Sequence, residues 1–287
     1  MSFADRYGPW AIVAGASEGT GRSFARAIAA EGVSSLLIAN SGPLEETASD
    51  VRRDFGVKCV TARIDLGRVD AFVQVLSAAG TREIGLYVAN AGADRFGERF
   101  HDRSVADSLD LVHLNITTTV GACHHFGGLM RRRGRGGLVL VNSGACYGGG
   151  STLAIYTAVK AFQLNFAESL WSELKPFGVD VLTIVLGKTD TPAYRRLQAK
   201  KDMPIGTDLA SPDEVARTAL ARLPFGPIHN VGLADGEAGY LPASAATRRD
   251  RVVAMEAAIA LGFGKSGPPV FPFDTESSGL DPMGGAA

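Results

Sequence analysis

Three side chains able to do acid–base chemistry lie between Ser143 and Lys160: the Ser143 hydroxyl, the Tyr156 phenol and the Lys160 ammonium. Tyr156 and Lys160 are four residues apart in a stretch with a helical pattern, so they share one helix face. A phenol has a pKa of about 10, but a fixed ammonium beside it favours the phenolate and lowers that pKa. The spacing therefore indicates a tyrosine general acid or base. A solvated helix face gives the same pattern by chance, so the rest of the chain must decide.

Composition and charge exclude several classes of protein. The 287 residues carry 29 Lys and Arg against 30 Asp and Glu, a formal net charge of −1 that would not recruit nucleic acid or an anionic membrane. No stretch approaches the roughly 20 apolar residues of a membrane span, and residues 1–9 lack a signal-peptide pattern. These features predict a cytoplasmic protein that binds neither nucleic acid nor membrane.

The cysteines, the adjacent histidines and a short basic run are best explained as ordinary structural residues and not as binding sites. The odd number of widely spaced cysteines (Cys59, Cys123, Cys146) fits neither a disulfide framework nor a metal site, and the adjacent His124 and His125 would point in different directions on a helix. No metal is therefore expected. The basic run 131–135 reads as a solvated turn between a helix and a strand, because it is short and has no interleaved aromatic residues.

A glycine cluster follows the first predicted strand. The apolar run Trp10–Ala14 leads into Gly15-Ala16-Ser17-Glu18-Gly19-Thr20-Gly21, and a helical pattern starts at Arg22. In such a strand–turn–helix unit the backbone can approach a pyrophosphate closely, and the helix N-terminus presents free N–H groups. The spacing is G-x-x-x-G-x-G, which a tight turn without a ligand would also explain.

Apolar strands then alternate with helices along the chain. The predicted strands cover Trp10–Ala14, Ser35–Ala39, Lys58–Ile64, Ile84–Ala89, Leu138–Val141, Val179–Leu186 and residues near His229–Leu233. The predicted helices cover Arg22–Ala30, Leu44–Phe55, Val69–Ala79, Leu109–Gly127, Ile155–Lys175, Ser211–Leu223 and Arg248–Leu261. This alternation predicts an α/β fold, a single-domain, doubly wound parallel sheet with helices on both faces and ligands at the strand carboxyl ends.

The second half of the chain suggests domain limits and an assembly. We expect one domain over residues 1–245 with a flap at about 188–210, followed by a helix and loosely ordered tail over 246–287. Ser211-Pro212-Asp213-Glu214 is typical of a capping box. The helix over 155–175 has an apolar stripe broader than one sheet face needs, which favours packing against a second copy in a homodimer or homotetramer.

Taken together, these motifs resemble the classical short-chain dehydrogenase/reductase family over roughly residues 8–235. The resemblance is carried by the glycines 15, 19 and 21, by Asp65 after the third strand, by Asn90-Ala91-Gly92 after the fourth, and by Asn115, Ser143, Tyr156 and Lys160. It implies a Rossmann-type fold and hydride transfer between a nicotinamide dinucleotide and a carbonyl or alcohol. The start of the chain, 7–19, is similar to bacterial hydroxysteroid dehydrogenases, including the 7β type.

The resemblance also implies residue roles. Tyr156 would be the general acid/base, Ser143 would hydrogen-bond the substrate oxygen, Lys160 would bind the nicotinamide ribose and lower the tyrosine pKa, and Asn115 would hold a relay water. The implied cofactor-binding set is Gly15, Ser17, Glu18, Gly19, Thr20, Gly21, Asn40, Ser41, Asp65, Leu66, Asn90, Ala91, Gly92, Tyr156, Lys160, Gly187, Thr189 and Thr191. Simpler structural roles stay open: Ser143 as a cap, Asn115 as a helix-kink residue, and Cys146 and Tyr147 as loop packing.

The chain departs from the family pattern where the cofactor is selected. Glu18 stands where many NADP enzymes carry a base, and Asn40-Ser41 replaces the usual arginines after the second strand. However, Ala39 provides no acid to repel a 2′-phosphate, and the two short polar side chains could donate to one. The sequence therefore favours NADP(H) slightly over NAD(H). Leu186-Gly187 replaces the usual Pro-Gly before the flap, which frees one backbone N–H.

We therefore predict an NAD(P)-dependent oxidoreductase that interconverts a secondary alcohol and a ketone. Apolar residues in the predicted pocket loops (Phe96, Leu153, Ile155, Tyr194) favour an apolar, steroid- or terpenoid-like small molecule. Two alternatives are a non-catalytic dinucleotide-binding regulator or scaffold, which would need neither the phenol nor the serine, and an epimerase or dehydratase that uses the same Tyr-Lys pair.

Overall fold

The computed structural model describes residues 1–94 and 96–232, which form a parallel sheet with helices on both faces. The strands are β1 (Trp10–Ala14), β2 (Ser34–Ala39), β3 (Cys59–Arg63), β4 (Ile84–Ala89), β5 (Gly136–Ser143), β6 (Val179–Leu186) and β7 (Ile228–Val231). The helices are α1 (Phe3–Tyr7), α2 (Gly19–Ala30), α3 (Leu44–Phe55), α4 (Ala71–Ala79), α5 (Val105–Val112), α6 (Thr118–Arg133), α7 (Ala154–Leu174), α8 (Pro192–Lys200) and α9 (Pro212–Arg222).

The strand order is β3-β2-β1-β4-β5-β6-β7, and every neighbouring pair is parallel. The chain therefore reverses direction across the sheet between β1 and β4, the crevice where open α/β sheets bind ligands. The register pairs Ala14 with Ala89 and Ser143 with Leu186, so these strands end together. This confirms the predicted doubly wound α/β fold.

The apolar residues form one core layer on each sheet face. Phe24 and Ile28 of α2 and Val215 of α9 pack on one face, while Phe126 of α6 and Leu174 of α7 pack on the other. The strands read as nearly continuous apolar runs because both of their faces are covered. Along α7 the apolar stripe extends beyond the core, since Phe162 stacks on Phe166 and stays 37% exposed.

Several helices differ from the prediction. The short helix α1 was missed, although Ser2 and Asp5 form a capping box at its start. Within the predicted flap, Pro192–Lys200 forms the helix α8, which Thr191 caps by accepting from the Tyr194 N–H. The predicted capping box at Ser211 is wrong: the Ser211 side chain makes no cap hydrogen bond.

Some predictions concern residues beyond 232, and others concern membrane spans and metal sites. The strand end at Leu233, the helix Arg248–Leu261 and the tail lie outside the described residues. Within residues 1–94 and 96–232, none of the helices has the length and apolar character that a membrane span requires. The same residues contain no group of three or more His, Cys, Asp or Glu placed to hold a metal ion.

Candidate active site

The glycine turn lies at the carboxyl end of β1, beside the end of β4. Gly15 and Gly19 adopt positive φ angles of 84° and 54°, which favour glycine because it has no Cβ. The Asn90 amide donates to the Gly15 carbonyl at 2.8 Å, and the Ala91 N–H donates to the Ala14 carbonyl at 2.8 Å. Gly21 packs so closely on Gly15 that a side chain there would collide with the turn. This contact fixes the start of α2 against the sheet.

The N-terminus of α2 is suited to an anion. Its N-cap, Glu18, makes no side-chain cap hydrogen bond, and no acidic residue lies in the first turn, where Thr20 is buried. The N–H groups of that turn and the partial positive charge of the helix are therefore directed at the crevice. The Glu18 carboxylate instead pairs with Arg196 of α8, whose Nη1 donates to Oε2 at 3.0 Å. The turn thus fits a dinucleotide pyrophosphate, and the charge of the Glu18 carboxylate is balanced by its ion pair with Arg196.

The adenosine end of the crevice is formed by the residues after β2 and β3. Asn40 and Ser41 are exposed, and the Ser41 hydroxyl donates to Asn40 Oδ1 at 3.0 Å. The next residue, Gly42, approaches Ser17 so closely that a Cβ on it would lie 3.0 Å from the serine Oγ. Arg63, at the end of β3, donates from Nη2 to the Gly42 carbonyl at 3.0 Å. The prediction missed this guanidinium because Arg63 joins the corner through strand pairing and not through sequence proximity.

The other predicted cofactor residues line the same edge of the sheet. Asp65 is exposed and accepts from the Gly67 N–H at 3.1 Å, while the buried Leu66 accepts through its carbonyl from the Thr118 hydroxyl at 3.0 Å. After β6, the Gly187 N–H donates to the Val231 carbonyl at 2.8 Å, and the Thr189 hydroxyl donates to the Gly187 carbonyl at 3.3 Å. Thr191 approaches the glycine turn, since a Cβ on Gly19 would lie 3.1 Å from its Cβ.

Ser143, Tyr156 and Lys160 meet where β5 ends and α7 begins. The Ser143 and Tyr156 hydroxyl groups are hydrogen-bonded, and Ser143 Oγ also accepts from the Ala145 N–H at 3.3 Å. Ser143 is therefore both a cap and a partner of the phenol. Asn142 fixes the arrangement from behind, because its Nδ2 donates to the Lys160 carbonyl at 3.0 Å and its Oδ1 accepts from the Ser143 N–H at 2.8 Å.

Lys160 is 3% exposed, and its Nζ donates to the Val141 carbonyl at 3.1 Å and to Gln163 Oε1 at 2.9 Å. Burial disfavours the ammonium and lowers the pKa of Lys160 to about 8, with Cys146 acting weakly in the opposite direction. The lysine is therefore partly neutral in mildly alkaline solution.

The expectation that Lys160 lowers the pKa of Tyr156 is not met. Burial raises the pKa of Tyr156 above its ordinary value, and the hydrogen bond with Ser143 opposes this only in part. The negative charge of Asp94, in the loop after β4, raises the tyrosine pKa further. Lys160 Nζ lies 5.8 Å from the centre of the Tyr156 ring and is itself desolvated, so its field does not overcome the burial of the phenol.

Asn115 lies in a π-helical turn, His113–Thr117, between α5 and α6. Its Nδ2 donates to the Leu111 carbonyl at 3.0 Å, and its buried Oδ1 has no hydrogen-bond partner among the described residues. A Cβ on Gly92 would collide with this Oδ1 and lie 3.0 Å from Lys160 Nζ. The structure thus brings Gly92, Asn115 and Lys160 together, and Asn115 lies in the π-helical turn that interrupts the regular helix.

The predicted substrate loops contain a charge pair that the sequence did not reveal. Arg103 pairs with Asp94 at 3.2 Å, both side chains are almost fully buried, and the guanidinium lies 4.7 Å from the centre of the Phe96 ring. In the turn after β5, Cys146 is buried, and the Tyr147 hydroxyl donates to Asn230 Oδ1 at 2.9 Å. The loops over Tyr156 are therefore held by polar as well as apolar contacts.

Comparison with known proteins agrees with this arrangement. The family model for short chain dehydrogenase matches residues 9–202. A 7β-hydroxysteroid dehydrogenase from Collinsella aerofaciens is 28% identical over 194 residues, which cover 67% of this chain and 73% of that protein. The structure from a study of 7β-hydroxysteroid dehydrogenase stereoselectivity has a TM-score of 0.74 at 26% identity, covering 80% of this chain and 89% of that one.

A further structural neighbour supports the fold alone. A short-chain dehydrogenase from Sphingobium yanoikuyae in complex with NADPH has a TM-score of 0.69 at 24% identity, covering 87% of this chain and 93% of that one. Both the matched family model and the described site point the same way. The chain therefore belongs to the short-chain dehydrogenase/reductase family of NAD(P)-dependent oxidoreductases.

Proposed function

We propose that this protein interconverts a secondary alcohol and a ketone, with Tyr156 as the general acid/base. The observation that carries the proposal is the hydrogen-bonded Ser143–Tyr156 pair, with the buried Lys160 beside it, at the end of the crevice that fits a dinucleotide. A non-catalytic binding module would need the glycine turn but neither hydroxyl group.

In the reduction direction, Ser143 and Tyr156 donate hydrogen bonds to the carbonyl oxygen of the substrate and stabilise the charge that develops there. A bound nicotinamide dinucleotide supplies the hydride. Tyr156 then gives its phenolic proton to the alkoxide, a task for which its raised pKa is suitable. In the oxidation direction the phenolate must form first, so this rate should rise with pH.

The cofactor set proposed for this reaction comprises the predicted residues of the glycine turn, of the strand ends and of the flap, together with Lys160 at the nicotinamide ribose. NADP(H) is the proposed form. Arg63 supports this choice because it places a guanidinium beside the exposed Asn40 and Ser41, where a 2′-phosphate would lie. The pairing of Glu18 with Arg196 also removes the uncompensated negative charge that would repel a phosphate.

The proposed substrate is an apolar alcohol or ketone, steroid-like in size. Phe96, Leu153, Ile155 and Tyr194 belong to the segments around the site, and similarity to 7β-hydroxysteroid dehydrogenase favours the same class. We also propose a homodimer or homotetramer, because Phe162 and Phe166 leave an apolar strip on α7 that a second copy could cover.

The first experiment follows absorbance and fluorescence of NADPH and NADH with a panel of ketones and alcohols that includes steroids. Tyr156→Phe should abolish turnover and change the dinucleotide Kd by no more than a fewfold. Full activity in this variant would refute the assignment of Tyr156. Cofactor binding without turnover of any substrate by the unmodified protein would favour a non-catalytic module instead.

The second experiment tests the cofactor assignment. Arg63→Gln should weaken NADPH binding about tenfold, the size of one charge-assisted hydrogen bond, and leave NADH binding unchanged. Arg53→Gln removes an exposed arginine from α3 and is the matched control. Equal effects of Arg63→Gln on both dinucleotides would contradict a role at the 2′-phosphate.

A further inference from the structure

The carboxylate of Glu18, in the glycine turn, is bound by Arg196 of helix α8, a residue 178 positions later in the chain. Arg196 Nη1 donates to Oε2 at 3.0 Å, and Nη2 donates to Oε1. Two parallel N–H···O bonds are among the stronger arrangements of a guanidinium with a carboxylate. Among the hydrogen bonds of residues 1–94 and 96–232, no other side chain donates to this carboxylate. The charge of Glu18 is therefore balanced by one residue of the flap.

Helix α8 is also held against the glycine turn by packing that does not involve Arg196. Thr191 caps the helix, because its Oγ1 accepts from the Tyr194 N–H at 3.1 Å. Its Cβ lies 3.1 Å from the position of a Cβ on Gly19, and Pro192 Cδ lies 3.6 Å from the same point. The start of α8 should therefore stay on the turn when the Arg196 side chain is replaced.

Glu18 is adjacent to both phosphate positions of the proposed dinucleotide site. It is the N-cap residue of α2, whose first-turn N–H groups face the pyrophosphate position. The preceding residue, Ser17, contacts the adenosine corner, since a Cβ on Gly42 would lie 3.0 Å from its Oγ, and the Gly42 carbonyl accepts from Arg63. A 2′-phosphate adds about −1.5 to −2 charge at neutral pH. An unpaired Glu18 carboxylate would therefore repel NADP(H) more strongly than NAD(H).

We propose that Arg196 is a specificity-determining residue for the dinucleotide and that it acts through Glu18, as a positioning residue for that carboxylate. By holding and balancing the carboxylate, Arg196 allows the additional phosphate of NADP(H) beside a turn that would otherwise favour NAD(H). This inference rests on the proposed dinucleotide site. It assigns Arg196 no contact with the cofactor, which separates its role from that of Arg63.

The test measures the Kd of NADPH and of NADH by fluorescence titration for the unmodified protein and for Arg196→Gln. At low ionic strength, Arg196→Gln should weaken NADPH binding about tenfold and NADH binding about twofold, because the unpaired carboxylate acts on more charge in NADPH. In about 0.5 M salt the difference between the two cofactors should shrink to about twofold or less, since screening weakens repulsion between partly exposed groups. A purely structural role of Arg196 would not give this salt dependence.

Arg195→Gln is the matched control. Arg195 is the neighbouring exposed residue of α8, and it forms its own two-bond pair with Asp190, at 2.6 and 2.8 Å. Its replacement removes the same charge from the same helix and should leave the ratio of the two Kd values unchanged. Arg196→Lys keeps a positive charge beside Glu18 and should retain most of the NADPH affinity.

The double variant Glu18→Gln/Arg196→Gln distinguishes an indirect role of Arg196 from a direct one. Glu18 makes no side-chain cap hydrogen bond, so its replacement costs α2 no cap. Without the carboxylate, the loss of Arg196 should no longer matter, and NADPH binding should return to within about twofold of the unmodified protein. A double variant that binds NADPH as weakly as Arg196→Gln would overturn the inference, and so would an equal loss for both dinucleotides in the single variant.

Failure of the proposed function would look different. An unmodified protein that binds neither dinucleotide would refute the proposed site as a whole. NADPH binding that does not respond to Arg196→Gln at low salt would refute the role of Arg196 alone.

Discussion

Lys160 should destabilise the folded protein at neutral pH, and replacing it tests how strongly the site is desolvated. Burial lowers its pKa from the ordinary 10.5 to about 8. A group whose folded pKa is lowered in this way binds fewer protons when folded, so its penalty is fully present below the folded pKa and disappears as pH rises through the unfolded value. From these two values the penalty is about 3 kcal/mol at pH 7 and about 1 kcal/mol at pH 10.

Lys160→Met removes this pH-dependent penalty together with the hydrogen bonds to Val141 and Gln163. The loss of those bonds does not depend on pH, whereas the penalty does. The unmodified protein should therefore gain about 2 kcal/mol relative to Lys160→Met between pH 7 and pH 10.

The assay is urea unfolding of both proteins at pH 7, 8, 9 and 10, without dinucleotide. Lys58→Met, at an exposed position, corrects for the general effect of removing one positive charge. A stability difference between Lys160→Met and the unmodified protein that stays constant across this range would refute the reasoning. It would mean that the ammonium is solvated in the folded state.

Two other predictions concern packing around the site and the sheet. Gly92→Ala should cost about 1–3 kcal/mol of stability and reduce turnover, because the new Cβ overlaps Asn115 Oδ1 and lies only 3.0 Å from Lys160 Nζ. Gly149→Ala, where a Cβ meets no atom within 4 Å, is the control, and equal losses of stability for the two variants in chemical denaturation would contradict this. Tyr7→Phe removes the phenol that donates to Asp180 Oδ2 at 2.6 Å, leaving Arg6 as the other partner of the buried carboxylate. It should lower the free energy of unfolding by about 1–3 kcal/mol, and a change under about 0.5 kcal/mol would show that Arg6 satisfies Asp180 alone.

Local signals in the sequence were sufficient for the sheet. Apolar runs marked the seven strands, and the glycine turn marked the crevice, because both depend on short-range chemistry. Helix α8 was missed because its residues are mostly polar and exposed, and only Gln198 is buried. The segment therefore has no apolar face from which a helix could be predicted. The capping box at Ser211 is absent because the Ser211 side chain makes no cap hydrogen bond. In the same turn, the Asp213 carboxylate accepts a hydrogen bond from Ser23 of α2 at 2.5 Å, a tertiary contact that the sequence did not reveal.

By itself the sequence determined the fold class and the candidate set of Ser143, Tyr156 and Lys160, since strand patterns and helical spacing act over a few residues. Only the tertiary structure decided the electrostatics of that set. Desolvation depends on every part of the chain that packs around a group. Burial therefore raises the pKa of Tyr156, although the spacing of Lys160 four residues away predicted a lowered pKa. The same holds for Arg63 and Gln163, whose partners Gly42 and Asn115 are distant in sequence and reach them through the sheet and through helix packing.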